Sequence, residues 1–155
     1  MDRKPRGDTS VASETFAAAH EWLEVLKHRS FDDAATVNEV IERFERAGVT
    51  PGVVAEHLAD GGDALYTAAR DGEGWTDAFG GDQAVALIAA EVSALMSHLV
   101  SRAASVRSRS VDALLDDFSA VTVASALGVS RQKVYDIAKS THDRKYLETT
   151  PWRQQ

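Results

Sequence analysis

Residues 120–140, AVTVASALGVSRQKVYDIAKS, limit what this 155-residue chain can fold into more than any other stretch. Ala124 places a small side chain where two helices would approach closely. Gly128 stands in the turn between them, where a positive φ costs glycine nothing and costs a residue with a Cβ about 1 kcal/mol or more. Ser130 predicts the N-cap of the second helix, because its hydroxyl can accept from the free amides of the next turn. The apolar residues predicted to fill the space between the helices are Val123, Leu127, Val129, Val134 and Ile137.

A further helix is predicted just before this segment. Ser110 is its expected N-cap, and Asp112 lies where a negative charge favours the positive end of a helix. The residues expected to pack onto the helix pair behind it are Val111, Leu114, Leu115 and Phe118. The sequence therefore predicts a unit of three helices in residues 110–155, which ends in a tail.

With these residues in place, the segment resembles the helix-turn-helix superfamily. ALGVSRQKVY is similar to the C-terminal DNA-binding modules of resolvase-like recombinases and many bacterial repressors. In that superfamily the second helix lies in the major groove of double-stranded DNA, and its early exposed positions contact base edges. Carried over residue by residue, the resemblance implies a DNA-binding set of Ser130, Arg131, Gln132, Lys133, Tyr135, Asp136 and Lys139. A helical hairpin that contacts another protein has the same pattern.

The chemistry of these side chains suits base and phosphate contacts. Arginine can bind guanine O6 and N7 with two hydrogen bonds, and glutamine can bind adenine N6 and N7 in the same way, which suits Arg131 and Gln132 to base contact. Lys133 and Lys139 are better placed for phosphates. Asp136 departs from a basic surface, and three roles stay open for it: accepting from cytosine N4, repelling an incorrect sequence, or orienting a neighbouring arginine.

The acidic and basic residues are unevenly distributed along the chain, so an acidic protein can have a basic region that binds DNA. Its formal net charge is −7. Residues 98–155 hold nine Lys and Arg against six Asp and Glu, a net +3, which leaves eight against eighteen, a net −10, for residues 1–97. An acidic region discourages indiscriminate DNA binding and offers a surface for a protein partner, while the basic end attracts DNA in a salt-dependent way.

No enzyme chemistry is predicted. The chain has no cysteine, which excludes disulfides, thiol catalysis and the usual cysteine-containing zinc sites. HEWLEVLKH, with His20, Glu24 and His28, lacks the HExxH order of metalloproteases and is interpreted as solvated polar positions. The glycine cluster DGEGWTDAFGG does not fit a phosphate-binding loop. The sequence therefore predicts no catalytic residue, no metal site and no cofactor.

The rest of the chain predicts an all-α fold, because alanine is abundant and no alternating β-branched run occurs. An acidic, bundle-like body is expected over residues 1–109. Its first helix is predicted to place Phe16, Ala19, Leu23 and Leu26 along one side. Thr50 and Pro51 predict the N-cap and first turn of the third helix. The helices expected before residue 71 span residues 11–28, 31–47, 51–59 and 63–70, and they are followed by a loop, residues 71–81, in which Trp75 and Phe79 anchor to the core.

The strongest helical pattern covers residues 82–107. Its apolar residues alternate at spacings of three and four, with Arg102 as an interruption, in the series Val85, Ile88, Val92, Leu95, Leu99 and Val106. That spacing is typical of a coiled-coil seam between two copies. Further apolar residues widen the face, as expected of a helix at the centre of a bundle: Leu87, Ala89, Met96 and Val100. Both a dimer seam and an intrachain core remain open.

Together these features predict a cytoplasmic, nucleoid-associated transcriptional regulator, more readily a repressor than an activator. A homodimer is expected, since one such module makes few base contacts and two copies can read a pseudo-palindrome. No segment is expected to reach the roughly 20 apolar residues of a membrane span, and no signal peptide is evident. Two alternatives remain: a protein-interaction factor, antitoxin-like or an assembly adaptor, and an accessory subunit of a recombination or partition complex.

Overall fold

The computed structural model describes residues 8–140 and 145–148, and this part of the chain contains helices and no strand. The all-α fold class is therefore confirmed. In chain order the helices are α1 (Asp8–Val25), α2 (Ala34–Arg46), α3 (Pro51–Ala59), α4 (Asp63–Ala68), α5 (Asp82–Asp117), α6 (Ala120–Leu127), α7 (Arg131–Lys139) and α8 (Lys145–Glu148). Short 3₁₀ turns at Lys27–Arg29 and Trp75–Phe79 follow α1 and precede α5.

Local capping signals set the starts of α2 and α3. The Thr50 hydroxyl accepts from the Val53 amide, and Pro51 occupies the first turn of α3, as the sequence predicts. The Asp33 carboxylate accepts from the Thr36 amide at 2.8 Å, so α2 begins after Asp33 rather than at the predicted residue 31. The cap lies later because the Asp33 side chain satisfies a free amide of the first turn.

The predicted buried side of α1 is wrong in part. Phe16 and Leu23 are exposed, whereas Trp22 and Leu26 are buried. Residues 13–21 are exposed throughout, so from residue 13 onward only the end of α1 packs against other described residues. Trp22 stacks on Phe44 with 5.4 Å between the ring centroids, and this large aromatic contact decides which side of the helix faces inward.

The described chain divides into two compact units, and the division falls between Leu95 and Met96 inside α5. We call residues 8–95 the N-terminal unit and the described residues from 96 onward the C-terminal unit. The sequence places the boundary after residue 109 instead, because it expects a break before Ser110. The fully buried centre of the N-terminal unit contains Phe44, Val54, Leu58 and Ile88. Trp75 and Phe79 pack against this core, as predicted for the loop that carries them.

Ser110 does not begin a helix, contrary to prediction. α5 runs unbroken to Asp117, and the Ser110 hydroxyl donates to the Val106 carbonyl one turn earlier, at 2.9 Å. A serine inside a helix can satisfy its hydroxyl in this way, so the residue need not mark a helix start. Of the residues expected to pack from this stretch, Val111 is buried and Leu115 half-buried. Leu114 and Phe118 are exposed.

The apolar seam of α5 divides into two parts. Val85, Ile88 and Leu95 are buried in the N-terminal unit, which makes that half of the seam an intrachain core. Leu99 and Val106 are exposed.

By length and composition alone α5 would suffice to cross a membrane, contrary to expectation, with a mean hydropathy of 1.7 over its most apolar 18 residues. The core helix of a soluble protein has the same composition.

A buried carboxylate, Glu91, lies in the part of α5 that belongs to the N-terminal unit. Glu91 is 2% exposed, and Arg29 binds it with two parallel hydrogen bonds, Nε to Oε1 at 2.8 Å and Nη2 to Oε2 at 2.9 Å. His28 Nε2 donates to the same Oε1. Burial raises the pKa of Glu91, but the hydrogen bonds from His28 and Arg29 outweigh it and hold the pKa below its ordinary value of 4.5. His28 is therefore buried in an ionic cluster rather than solvated.

We expect Glu91→Ala to lower the free energy of unfolding by about 3–5 kcal/mol, because the substitution leaves the buried His28 ring and the half-buried Arg29 without the Glu91 carboxylate. Urea denaturation followed by circular dichroism measures the change. The matched control is Glu39→Ala, which removes an exposed i,i+4 pair with Arg43 and should cost less than about 1 kcal/mol. Equal losses in the two variants would show that the buried cluster contributes no more than a surface pair.

The lowered pKa also predicts an acid dependence of stability. Because the folded-state pKa of Glu91 lies below 4.5, its contribution is fully present above that pH and is lost as the pH falls through the folded-state pKa. Glu91→Gln cannot ionise and should show a smaller loss of stability between neutral and acid pH than the unaltered protein. Urea midpoints measured over that pH range test this, and parallel curves would contradict it.

Candidate nucleic-acid interface

A glycine turn joins α6 to α7. Ser119 caps α6 by accepting from the Thr122 amide at 3.2 Å. Gly128 ends the helix with φ of 66°, and the Val129 amide donates back to the Ala124 carbonyl at 3.1 Å. This bond closes the helix in the manner of a Schellman motif. A Cβ at Gly128 would meet nothing within 4 Å, so the backbone conformation alone requires glycine.

The pair is held on α5 by a small apolar cluster. Its buried members are Val111, Ala120, Val123, Ala124, Val134 and Ile137, with Leu115, Val129 and Ala138 half-buried around them. Ala124 is 8% exposed, as expected for a small residue between two helices. Leu127, which the sequence assigns to this cluster, is 43% exposed. Leu127 is the last residue of α6, where the chain turns away at Gly128.

Both ends of α7 are fixed by hydroxyls. The Ser130 hydroxyl accepts from the Lys133 amide at 3.1 Å, which confirms Ser130 as the N-cap. At the other end, the Ser108 hydroxyl on α5 donates to the Ser140 carbonyl at 3.0 Å. Nothing in the sequence around Ser108 predicts this second contact, because it joins residues 32 positions apart.

The seven predicted site residues lie together on the outside of α7 and its cap. Val134 and Ile137 face the core, and every member of the site is exposed: Ser130, Arg131, Gln132, Lys133, Tyr135, Asp136 and Lys139. This follows from helix periodicity, since residues 134 and 137 lie three apart and mark the inward side. The outward side of α7 thus carries three cations and one carboxylate.

Asp136 has a partner on its own helix. The Gln132 amide nitrogen donates to Asp136 Oδ1 at 3.0 Å, one turn away. Of the three roles considered for Asp136, this geometry is most similar to the one in which Asp136 orients a neighbouring side chain. The side chain that it contacts is a glutamine rather than an arginine. An amide NH₂ has two hydrogens, so Gln132 keeps one donor and its carbonyl oxygen for a further partner.

The C-terminal tail, residues 141–155, falls mostly outside the described residues, which leave out 141–144 and 149–155. Arg144, Trp152 and Arg153 lie outside the described residues. In α8, the Tyr146 ring lies 5.5 Å from the His98 ring of α5 in an edge-on contact. This contact places Tyr146 against α5.

Among the residues that the structure describes, no three His, Asp or Glu side chains are grouped so that they could hold a metal ion. Comparisons of the chain with protein-family models, curated proteins and solved structures find no match. The interpretation of this surface therefore depends on its own residues.

We expect Ala124→Leu to lower the free energy of unfolding by about 1–3 kcal/mol, because the larger side chain would force α6 and α7 apart. Ala126→Leu adds the same atoms to an exposed position of α6 and should change stability by about 0.5 kcal/mol or less. Thermal or urea unfolding of both variants tests the contact. If the Ala124 variant melts like the unaltered protein, the helices do not approach at this residue.

Proposed function

We propose that this chain is a sequence-specific regulator of transcription that binds double-stranded DNA and reads the major groove with α7. The observation that carries the proposal is the arrangement of α7 itself. Val134 and Ile137 are buried, the N-terminus of α7 is capped, and Arg131 and Gln132 are exposed in its first turn. The early exposed positions of a reading helix are those that contact base edges.

Base recognition would divide between the first-turn side chains. Arg131 has five donors in a planar fork and suits the O6 and N7 acceptors of guanine. Gln132 can accept from adenine N6 and donate to N7 while its second amide hydrogen stays on Asp136 Oδ1. In this proposal Asp136 acts on recognition through Gln132, because it restricts the amide to one orientation before DNA arrives.

Phosphate contacts would come from Lys133 and Lys139, at the start and end of the helix. Such contacts fix the position of α7 on the duplex and carry no sequence information. They also release counterions, so affinity should fall as salt rises. The net −10 of residues 1–97 supports the same arrangement, since it keeps the rest of the protein off DNA.

A homodimer that occupies a pseudo-palindromic operator and blocks polymerase is the mechanism we favour, which makes the protein a repressor. Two copies of α7 roughly double the number of base contacts, which one short helix cannot supply in sufficient number. We place this activity in the cytoplasm, on the nucleoid.

A protein-interaction role is the second candidate. Val121 and Leu127, on α6, are 63% and 43% exposed, and exposed apolar residues are more typical of a protein contact than of DNA. In that case the chain would be an antitoxin-like protein, an assembly adaptor or an accessory subunit of a recombination or partition complex, and α6 would dock its protein partner. The acidic N-terminal unit offers a second surface for such a partner. The two candidates differ in a simple measurement, since only the regulator binds random duplex DNA in a salt-dependent way.

The test is a randomised-site selection with the unaltered protein and Arg131→Ala. We expect the variant to bind the selected site more weakly by about 1–3 kcal/mol, with preference lost at one base pair. Lys133→Ala should weaken binding uniformly across sequences and reduce the salt slope by about one. Arg43→Ala, an exposed arginine of the N-terminal unit, is the matched control and should change neither.

Two results would count against the proposal. Unchanged selectivity in folded Arg131→Ala removes that residue from base readout. Absence of any salt-dependent binding of the unaltered protein to duplex DNA rejects the regulator and favours the protein-interaction role.

A further inference from the structure

We propose that one exposed side of α5 is the homodimer interface and that two copies of α5 pair there in antiparallel orientation. This deepens the function proposed above, because it names the surface that would bring two reading helices together. We call this side the α5 stripe. Its residues are Met96, Leu99, Ala103, Val106, Ser110 and Ala113, bordered by Val100 and Leu114.

The α5 stripe has the spacing of a coiled-coil seam. Its six central residues follow one another at intervals of three, four, three, four and three. An alternation of three and four keeps the residues on one side of a helix that meets another helix. The whole stripe spans about 27 Å, from residue 96 to residue 114 at 1.5 Å per residue.

All residues of the α5 stripe are exposed, although most are apolar. Met96 is 38% exposed, Leu99 40%, Val106 54% and Val100 68%. The buried residues of the same stretch are His98, Ser105, Ser108 and Val111, and by helical periodicity they point to other sides of α5 than the stripe. The α5 stripe is thus not the surface that holds α6 and α7. A contiguous exposed apolar surface of this kind marks an interaction site.

The pattern of side-chain sizes points to a second copy of this chain. In an antiparallel pair with Met96 facing Ala113 of the second copy, Leu99 faces Ser110 and Val106 faces Ala103. Every large residue then meets a small one, so the two surfaces interdigitate. In a parallel pair each residue meets its own copy, which crowds Met96 and leaves gaps at Ala103 and Ser110. The stripe is complementary to itself in the antiparallel orientation.

The same arrangement sets the distance between the two clusters that hold α6 and α7. The two copies of Val111 would lie about 20 Å apart along the helices, since in this register residue 111 is level with residue 98 of the second copy. Val134 and Ile137 of α7 share a cluster with Val111. With 8–10 Å between packed helices, the two copies of Val111 would stand about 22 Å apart. Successive major grooves on one face of B-DNA recur every 34–36 Å or so, so each α7 would have to reach outward from its own Val111 for the pair to enter two of them.

Charge at the edge of the interface gives it a distinctive salt dependence. Arg107 and Arg109 are exposed beside the α5 stripe in each copy. Pairing brings these like charges closer, and salt screens their repulsion. Added salt should therefore strengthen dimerisation, whereas it should weaken DNA binding. The two equilibria can be separated by this opposite response.

Disulfide trapping tests the orientation, because the chain has no cysteine of its own. Leu99→Cys and Ser110→Cys proteins are prepared separately, mixed, allowed to exchange and oxidised gently. In the antiparallel pair residue 99 lies next to residue 110, so the mixture should form a mixed disulfide. Each variant alone should not cross-link, because the like residues lie about 16 Å apart along the helices, beyond the roughly 7 Å that a disulfide can span.

Other cross-linking results overturn the proposal. Rapid cross-linking of each variant to itself would show a parallel seam. No cross-link in any sample, at protein concentrations where sedimentation shows a dimer, would move the interface elsewhere.

Sedimentation tests the surface independently of DNA. Leu99→Glu adds a charge to the α5 stripe at an exposed position, so the variant should stay folded by circular dichroism and sediment as a monomer. Ala90→Glu adds the same charge to an exposed position of α5 outside the stripe and should remain dimeric. A folded, dimeric Leu99 variant rejects the interface. A protein that cross-links as proposed yet binds no DNA rejects the regulator and leaves the interface standing.

Discussion

The apolar surface of α5 is the constraint on which both units depend. Ile88 and Leu95 belong to the N-terminal core, and Val111 belongs to the C-terminal cluster. α6 and α7 contain only eight and nine residues, and helices of that length are not stable alone in water. They persist because Val123, Val134 and Ile137 bury themselves against α5. A DNA-reading surface on α7 would therefore owe its rigidity to a helix that is not itself part of that surface.

Glu91 fixes the position of α5 in the N-terminal unit more than it raises the free energy of unfolding. A buried ion pair commonly contributes little compared with apolar residues of the same size, yet removing one partner is costly. In α5 the carboxylate can be satisfied only when His28 and Arg29 approach it from the turn after α1. Apolar contacts alone would tolerate small rotations of the helix, but the two-bond contact with Arg29 does not. The cluster thus fixes how α5 is seated within the N-terminal unit.

The correct predictions concern contacts between residues that are close together in the sequence. Thr50, Gly128 and Ser130 each act on a backbone group within a few residues, so their identity suffices to predict a cap or a turn. The ionic cluster joins residues more than 60 positions apart, and no local sequence pattern predicts it. Ser110 was misread for a related reason, because a serine hydroxyl can begin a helix or bond within one. The exposure of Leu99 and Val106 likewise depends on which elements cover α5, which periodicity does not reveal.

The proposed dimer interface lies on α5, and the proposed reading helix packs on α5. This shared helix would limit the half-site spacings that the dimer can bind. α5 continues without interruption from Leu99 past Val111, so no flexible linker separates the α5 stripe from the cluster that holds α7. Regulators with flexible linkers can adjust to several half-site spacings, since a linker absorbs the difference. Here a change of one base pair would shift a half-site by about 3.4 Å and rotate it about the duplex, and only strain in α5 or bending of the DNA could compensate. Selectivity for half-site spacing would then arise from helix geometry, and selectivity for bases from Arg131 and Gln132.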